Sequence, residues 1–241
     1  MNFQYKPAGD LSILVKVGNS IDKQTNAKVR SLANLIELNT DYHFDEVILG
    51  YNTLLVSYNP LVLTYEEAVA HLKMWERQIE VDKHSSSRIV EIPILYGDEW
   101  GLDLQAVAKH NGLSTEEVVS IHSSNQYLVY FIGFTPGFPF LGGMSPKIAT
   151  PRLSTPRVSI PAGSVGIANN QTGIYPVSSP GGWRLIGRTP LHLFLPENET
   201  HPFLLHPGDF VKFKQIDKGR FLEIKTAIEQ GTYEPVIIWS E

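Results

Sequence analysis

From Tyr127 onwards, glycine and proline cut the chain into short aromatic or β-branched runs. These are residues 127–134, 157–160, 164–168, 173–177, 183–189, 191–195, 209–215 and 221–227. Glycine permits turns of either hand, and proline fixes φ while removing a backbone donor. Short strands separated by so many turn residues predict a β-sandwich or a closed barrel. Their spacing is irregular, and the chain has no internal repeat.

Before this region the pattern is mixed. Residues 12–17 alternate like a strand, and Asp22 is placed to cap a helix with a buried stripe of Val29, Leu32, Ala33 and Ile36. Strands are expected at 45–50 and 53–58, with Tyr51 and Asn52 turning between them. Thr64 and Glu67 make a capping box ahead of Ala68, Leu72, Trp75 and Ile79. Residues 1–82 therefore read as strand, helix, hairpin, helix, a two-layer unit with helices on one sheet face. His84 to Ser87 form a polar joint, which sets the division at a small α/β domain over 1–84 and a barrel domain over 85–241. Inside the second, residues 88–95 are a strand, and a short helix through Leu104, Val107 and Ala108 ends at Asn111-Gly112. Ser114 and Glu117 then cap a further helix carrying Val118, Val119 and His122. The fold class is an α+β N-terminal domain followed by a mostly β barrel.

Composition excludes several functions. The chain has 241 residues, a net charge of −5 and no cysteine. A thiolate nucleophile, a disulfide framework and a Cys-ligated metal are ruled out, and the acidic balance argues against nucleic acid. No apolar stretch reaches the ~18 residues of a membrane span, and the N-terminus lacks the pattern of a signal peptide. The expected location is the cytoplasm, and no metal site is expected.

The charge is uneven. Residues 118–196 contain no Asp and no Glu, yet hold Lys147, Arg152, Arg157, Arg184 and Arg188. Such a block presents a positive, tightly turned surface to a carboxylate, a phosphate or an acidic partner. Its loops share a grammar. In GFTPGFPFLGG (133–143), Phe134, Pro136, Gly137 and Phe138 form a rigid wall or an aromatic plug of a barrel end. In TPRLSTPR (150–157), a proline stiffens the backbone before both Arg152 and Arg157, setting guanidinium forks for carboxylate or phosphate. In SSPGGWRLIGRTP (178–190), Gly181 and Gly182 allow close approach, Trp183 offers a flat face, and Arg184 and Arg188 follow. Arg152 and Arg157, each taken alone, also admit a plainer reading as surface residues paired with acids of the N-terminal domain.

Other signals are weaker. The segment DLQAVAKHNGLSTEEVV looks like a helix-turn-helix, but two acids open the helix that would face phosphates. No phosphate-binding G-x-x-x-x-G-K-[ST] loop, G-x-G-x-x-G loop or G-x-S-x-G elbow occurs. His122 is the histidine best placed for chemistry, as a proton carrier or ligand donor; bonding to a backbone carbonyl is the plainer alternative. A Ser-His-Asp set needs an acid from outside the block, such as Asp98, Asp103 or Asp209.

The ordered motifs at 131–143, 150–152, 156–165, 173–176, 179–190 and 207–213 together resemble the family of the B-type component of bacterial ATP-dependent 5-oxoprolinase. That family includes the allophanate-hydrolase subunit 1-like proteins and the sporulation kinase inhibitor KipI. AGDLSILVKVG matches the family's opening strand, so the resemblance covers nearly the whole chain. It implies a cyclophilin-like barrel and work beside two further 5-oxoprolinase components, one A-type and one C-type. The implied activity is ATP-dependent (with Mg2+) opening of 5-oxoproline to glutamate by a hydrolase complex, the chain being inactive alone. The alternatives are inhibition of a sensor histidine kinase or allophanate-type amide hydrolysis. On the leading reading His122, Arg157 and Arg184 serve catalysis. Arg152, Arg188, Phe134, Pro136, Gly137, Phe138, Gly181, Gly182 and Trp183 meet substrate or anion. Phe140 stands where the family more often has tyrosine, one hydroxyl fewer.

Overall fold

The computed structural model describes residues 3–79 and 87–240. The chain divides into two compact units, Met1–Ser85 and Ser86–Glu241. The expected boundary at 84/85, and all of the polar joint at His84 to Ser87 except Ser87, lie outside the described residues.

In the first unit, β1 (Gln4–Pro7), β2 (Ser12–Lys16), β3 (Phe44–Leu49) and β4 (Thr53–Tyr58) form an antiparallel sheet ordered β1-β2-β4-β3. The chain runs from β2 through α1 (Lys23–Leu38) to β3, and α2 (Tyr65–Glu76) follows β4. Asp22 caps α1 by accepting from the Thr25 N–H, and the Thr64–Glu67 capping box is closed in both directions. Ile13, Val15, Leu54 and Val56, alternate residues of β2 and β4, are fully buried with Val29, Leu32 and Leu72 of the helices. β1 is not foreseen in sequence: its burial is slight, and it is held by backbone pairing to β2 rather than by an apolar pattern.

In the second unit, β5 (Arg88–Tyr96) leads to α3 (Leu104–Asn111) and α4 (Thr115–Ser124). Gly112 ends α3 at φ 66°, a conformation that costs glycine little, and the Ser114–Glu117 box starts α4. The strands β6 (Gln126–Ile132), β7 (Pro139–Gly142), β8 (Arg157–Ile160), β9 (Ser164–Ala168), β10 (Gln171–Ile174), β11 (Ser179–Gly181), β12 (Arg184–Arg188) and β13 (Phe210–Gln215) follow. The last elements are α5 (Lys218–Glu229) and β14 (Ile237–Trp239).

These strands build a mixed sheet along the path β10-β9-β12-β5-β13-β6-β7, with β14 also pairing β5. Among the described strands, only β5 and β13 pair in parallel. The two ends of the path, β10 and β7, lie against each other, so the barrel is nearly closed. Val90, Ile92, Ile94, Val129, Ile167, Ile186 and Val211 fill it. β8 and β11 form a separate two-stranded ribbon.

Two expected strands are corrected. Residues 221–227 are helical in α5: Asp217 caps the helix, and Phe221 and Ile224 bury one stripe at i, i+3. Residues 191–195 alternate in burial but lie between Pro190 and Pro196, and share only an isolated bridge, Phe194 to Phe203.

Candidate functional site

Two arginine-bearing loops, 150–157 and 178–190, meet around Trp183. Phe138 and Tyr175 pack edge-on to its buried face, with ring centroids at 5.6 and 6.3 Å. Gly173 makes this possible, since a Cβ there would sit 3.0 Å from both Phe138 Cζ and Trp183 Cζ3. The exposed Arg152 lies over the Trp183 ring at 5.9 Å. The Leu153 N–H donates to Gly182 O at 2.7 Å, tying the 150–157 loop to the 178–190 loop. Arg184 Nε donates to Pro151 O at 3.3 Å.

Arg157 has a different fate. Its Nη1 and Nη2 meet Asp103 Oδ2 and Oδ1 at 2.9 and 3.0 Å, a bidentate pair. Asp103 is buried, and its Oδ2 also accepts the Leu185 N–H at 2.7 Å. Thus the acid that enters the acid-free block comes from the start of α3, and it belongs to the same unit as Arg157. Arg152 and Arg184 make no ion pair among the described residues.

The 133–138 loop joins β6 to β7. Gly133 N–H donates to Phe138 O, and Phe138 N–H donates to Thr135 O across Pro136 and Gly137. Gly137 has φ 82°, and a Cβ there would lie 3.0 Å from Phe194 Cβ, so the turn requires glycine. Thr135 N–H closes a γ-turn on Gly133 O at 2.8 Å, which holds Phe134 at φ 66° and leaves it 73% exposed. A bulky residue held in the left-handed region costs about 1–3 kcal/mol and concentrates at functional sites. Pro136 is also exposed, whereas Phe138 is buried beneath both.

Arg188 stands elsewhere. It lines a cleft of about 370 Å³ walled by α5 on one side and residues 188–192 on the other, with Trp100, Ala162, Gly163 and Pro176. Its Nε donates to Ala162 O at 2.8 Å, and the guanidinium lies over Trp100 at 5.7 Å. Burial lowers its pKa. Trp100 packs on Phe221 of α5 at 4.6 Å.

His122 has no exposed surface. Thr172 Oγ1 donates to Gly166 O, so it accepts from His122 Nε2 at 2.8 Å; Tyr96 Oη therefore donates to Nδ1 at 2.8 Å. Tyr127 Oη donates to His122 O, and Phe213 stacks on the imidazole at 4.4 Å. This neutral tautomer satisfies both nitrogens, and burial drives the pKa down to about 3. The network was not legible in sequence, because its members come from β5, α4, β6, β10 and β13.

A second cavity of about 650 Å³ lies beside α3 and α4 and is lined by Tyr96, Asp98, Gln105, Glu116, Ser120 and Gln215 among others. It carries carboxylates where the other sites carry guanidiniums. Among the described residues, no group of three His, Asp or Glu is arranged to hold a metal ion, and no helix is long and apolar enough to cross a membrane.

Similarity to known proteins decides the family. Residues 3–205 match the family model described as carboxyltransferase domain, subdomain C and D. The chain is 46% identical over 228 residues to the B-type 5-oxoprolinase subunit of Bacillus subtilis, covering 90% of this chain and 95% of that protein. The chain belongs to the family of B-type 5-oxoprolinase subunits. Among solved structures, PH0987 from Pyrococcus horikoshii is 48% identical with a TM-score of 0.54, covering 90% of this chain and 100% of that one. TTHA0988 is 35% identical with a TM-score of 0.75, covering 86% of this chain but only 40% of that longer chain. Family members thus share both the N-terminal α+β region and the near-closed barrel.

Proposed function

We propose that this chain is the B-type component of a hydrolase complex that opens 5-oxoproline to glutamate at the expense of ATP. Its barrel is read as cyclophilin-like, and its partners as A-type and C-type 5-oxoprolinase components. The observation that carries the reading is the shelf around Trp183. Arg152 and Arg184, unpaired by any carboxylate among the described residues, come from a stretch of chain, 118–196, that contains no Asp or Glu. TTHA0988, in which a region like this chain is 40% of a longer polypeptide, supports work beside further domains.

The chemistry divides between the shelf and the rest of the complex. A lactam is a stabilised amide, and ATP, when bound in the complex, supplies the activation that makes its carbonyl attackable. Two guanidiniums on the shelf suit phosphate or carboxylate oxygens and favour developing negative charge. The shelf holds no carboxylate for Mg2+, because Asp103 is taken by Arg157 and by Leu185 N–H; the metal's ligands are expected from a partner. Arg157 acts through position: it fixes β8 against β12. Buried His122 is read as a positioning residue, holding α4 to the barrel wall, and not as a proton carrier.

Reconstitution tests this. The isolated chain should release no glutamate, and mixing it with its A-type and C-type partners should yield ATP-dependent release from 5-oxoproline. An assembled complex without turnover refutes the proposal. A second reading, inhibition of a sensor histidine kinase, is favoured by one observation: Phe134 is a rigid, exposed aromatic anchor beside Pro136. Kinase autophosphorylation unchanged at saturating protein removes it.

A further inference from the structure

We infer that the α5 cleft is a binding site for a small monocarboxylate built on a compact ring, with Arg188 as its recognition group. The inference rests on the proposed function only for the choice of probe.

Arg188 is half-buried, and among the described residues only its Nε has a hydrogen-bond partner, the carbonyl of Ala162. Its position is fixed by that bond and by Trp100 beneath it, which leaves the Nη edge without a partner. A guanidinium withdrawn from water without a counter-ion is an unfavourable arrangement that an anion relieves. The other formal charges of the cleft cancel, since Lys225 pairs with Glu229 at 3.8 Å. The planar fork of an arginine matches the two oxygens of a carboxylate.

The walls specify the remainder of the ligand. Trp100, Pro176, Pro190, Leu191 and Phe221 are apolar, and a volume of about 370 Å³ is at the small end of ligand pockets. A compact ring fits such walls better than a polyanion, which finds one unbalanced cation here, Lys225 being paired with Glu229. The cleft is also built on rigid parts: Gly163 permits the close approach of its loop to β12, since a Cβ there would lie 2.4 Å from Thr189 O.

Calorimetric titration of the full chain tests the site with three probes: 5-oxo-L-proline, 2-pyrrolidinone (the same ring without the carboxylate) and inorganic phosphate. Saturable 1:1 binding of 5-oxo-L-proline is expected, with the other two at least tenfold weaker. Arg188→Gln should weaken binding at least tenfold, and Arg188→Lys by less. Leu222→Glu, at an exposed lining position of α5, should weaken it comparably without altering Arg188, which covers the case of a misfolded Arg188 variant. Absence of saturable binding, equal binding of 2-pyrrolidinone or phosphate, or unchanged affinity in Arg188→Gln and Leu222→Glu would overturn the inference. Glutamate release by the assembled complex is read in parallel. A complex that turns over while the cleft binds nothing refutes the cleft alone. A cleft that binds in a complex without turnover refutes the functional reading alone.

Discussion

Arg157 and Arg188 stand in loops of the same Gly- and Pro-rich grammar, yet they end in opposite states. Arg157 is closed off by Asp103, whose second oxygen also accepts a backbone N–H of β12. Arg188 is half-buried and makes no ion pair among the described residues. What separates them is whether an acid from outside the acid-free block reaches the guanidinium. The same contrast runs through the second unit. On the closed side, Asp103–Arg157 and Tyr96–His122–Thr172 are satisfied polar groups that join elements distant in sequence. On the open side, Arg152, Arg184 and Arg188 carry charge that the fold does not consume. Satisfied groups of the first kind hold structure; unsatisfied ones of the second kind are available to ligands.

The largest effect expected on the closed side is a pH dependence. His122 titrates near 3 when folded and near its ordinary value of about 6.5 when unfolded. A folded pKa below the unfolded one means that the unfolded chain binds the proton first. Stability from this group is fully present above about pH 6.5 and is lost as pH falls towards 3. The slope approaches ~1.4 kcal/mol per pH unit, roughly 5 kcal/mol in all. Urea unfolding of the chain against His122→Gln should show the slope in the parent and its absence in the variant. Next in size, Asp103→Ala removes the partner of Arg157 and the acceptor of the Leu185 N–H. It should cost about 2–4 kcal/mol in the same assay. A cost near zero would place Arg157 with the open arginines and break the comparison.

The open side should behave in the reverse manner. The double change Arg152→Gln and Arg184→Gln should leave unfolding within about 0.5 kcal/mol of the parent, because neither side chain makes an ion pair among the described residues. Phe134 should show a small effect of the opposite sign. Asparagine tolerates the left-handed backbone better than phenylalanine. Phe134→Asn should raise stability by up to about 1 kcal/mol while weakening any partner that uses the ring. Thermal unfolding and co-purification with the partners measure the two halves of that statement.

Much of this molecule can be read before folding it. Both capping boxes, the Asp22 cap and the Gly112 stop are local devices, written within a few residues, and all form as expected. The strand texture also gives away the barrel. What fails is whatever depends on distant partners. Residues 221–227 admit a strand reading, and only the Asp217 cap and the burial of Phe221 and Ile224 select a helix. The four arginines look alike in sequence, and only tertiary placement pairs one with Asp103, sets Arg152 and Arg184 around Trp183, and puts Arg188 in the α5 cleft. His122 shows the same limit, because both hydrogen-bond partners of its ring lie 26 or more residues away.

On the proposed function, the unpaired arginines of the Trp183 shelf act on anions while the paired one maintains the fold. Glutamate release from 5-oxoproline, measured in a complex rebuilt with the Arg152→Gln and Arg184→Gln chain, tests this division most directly. At least a tenfold lower rate with an unchanged unfolding midpoint is the predicted result. The parental rate from that complex would contradict it.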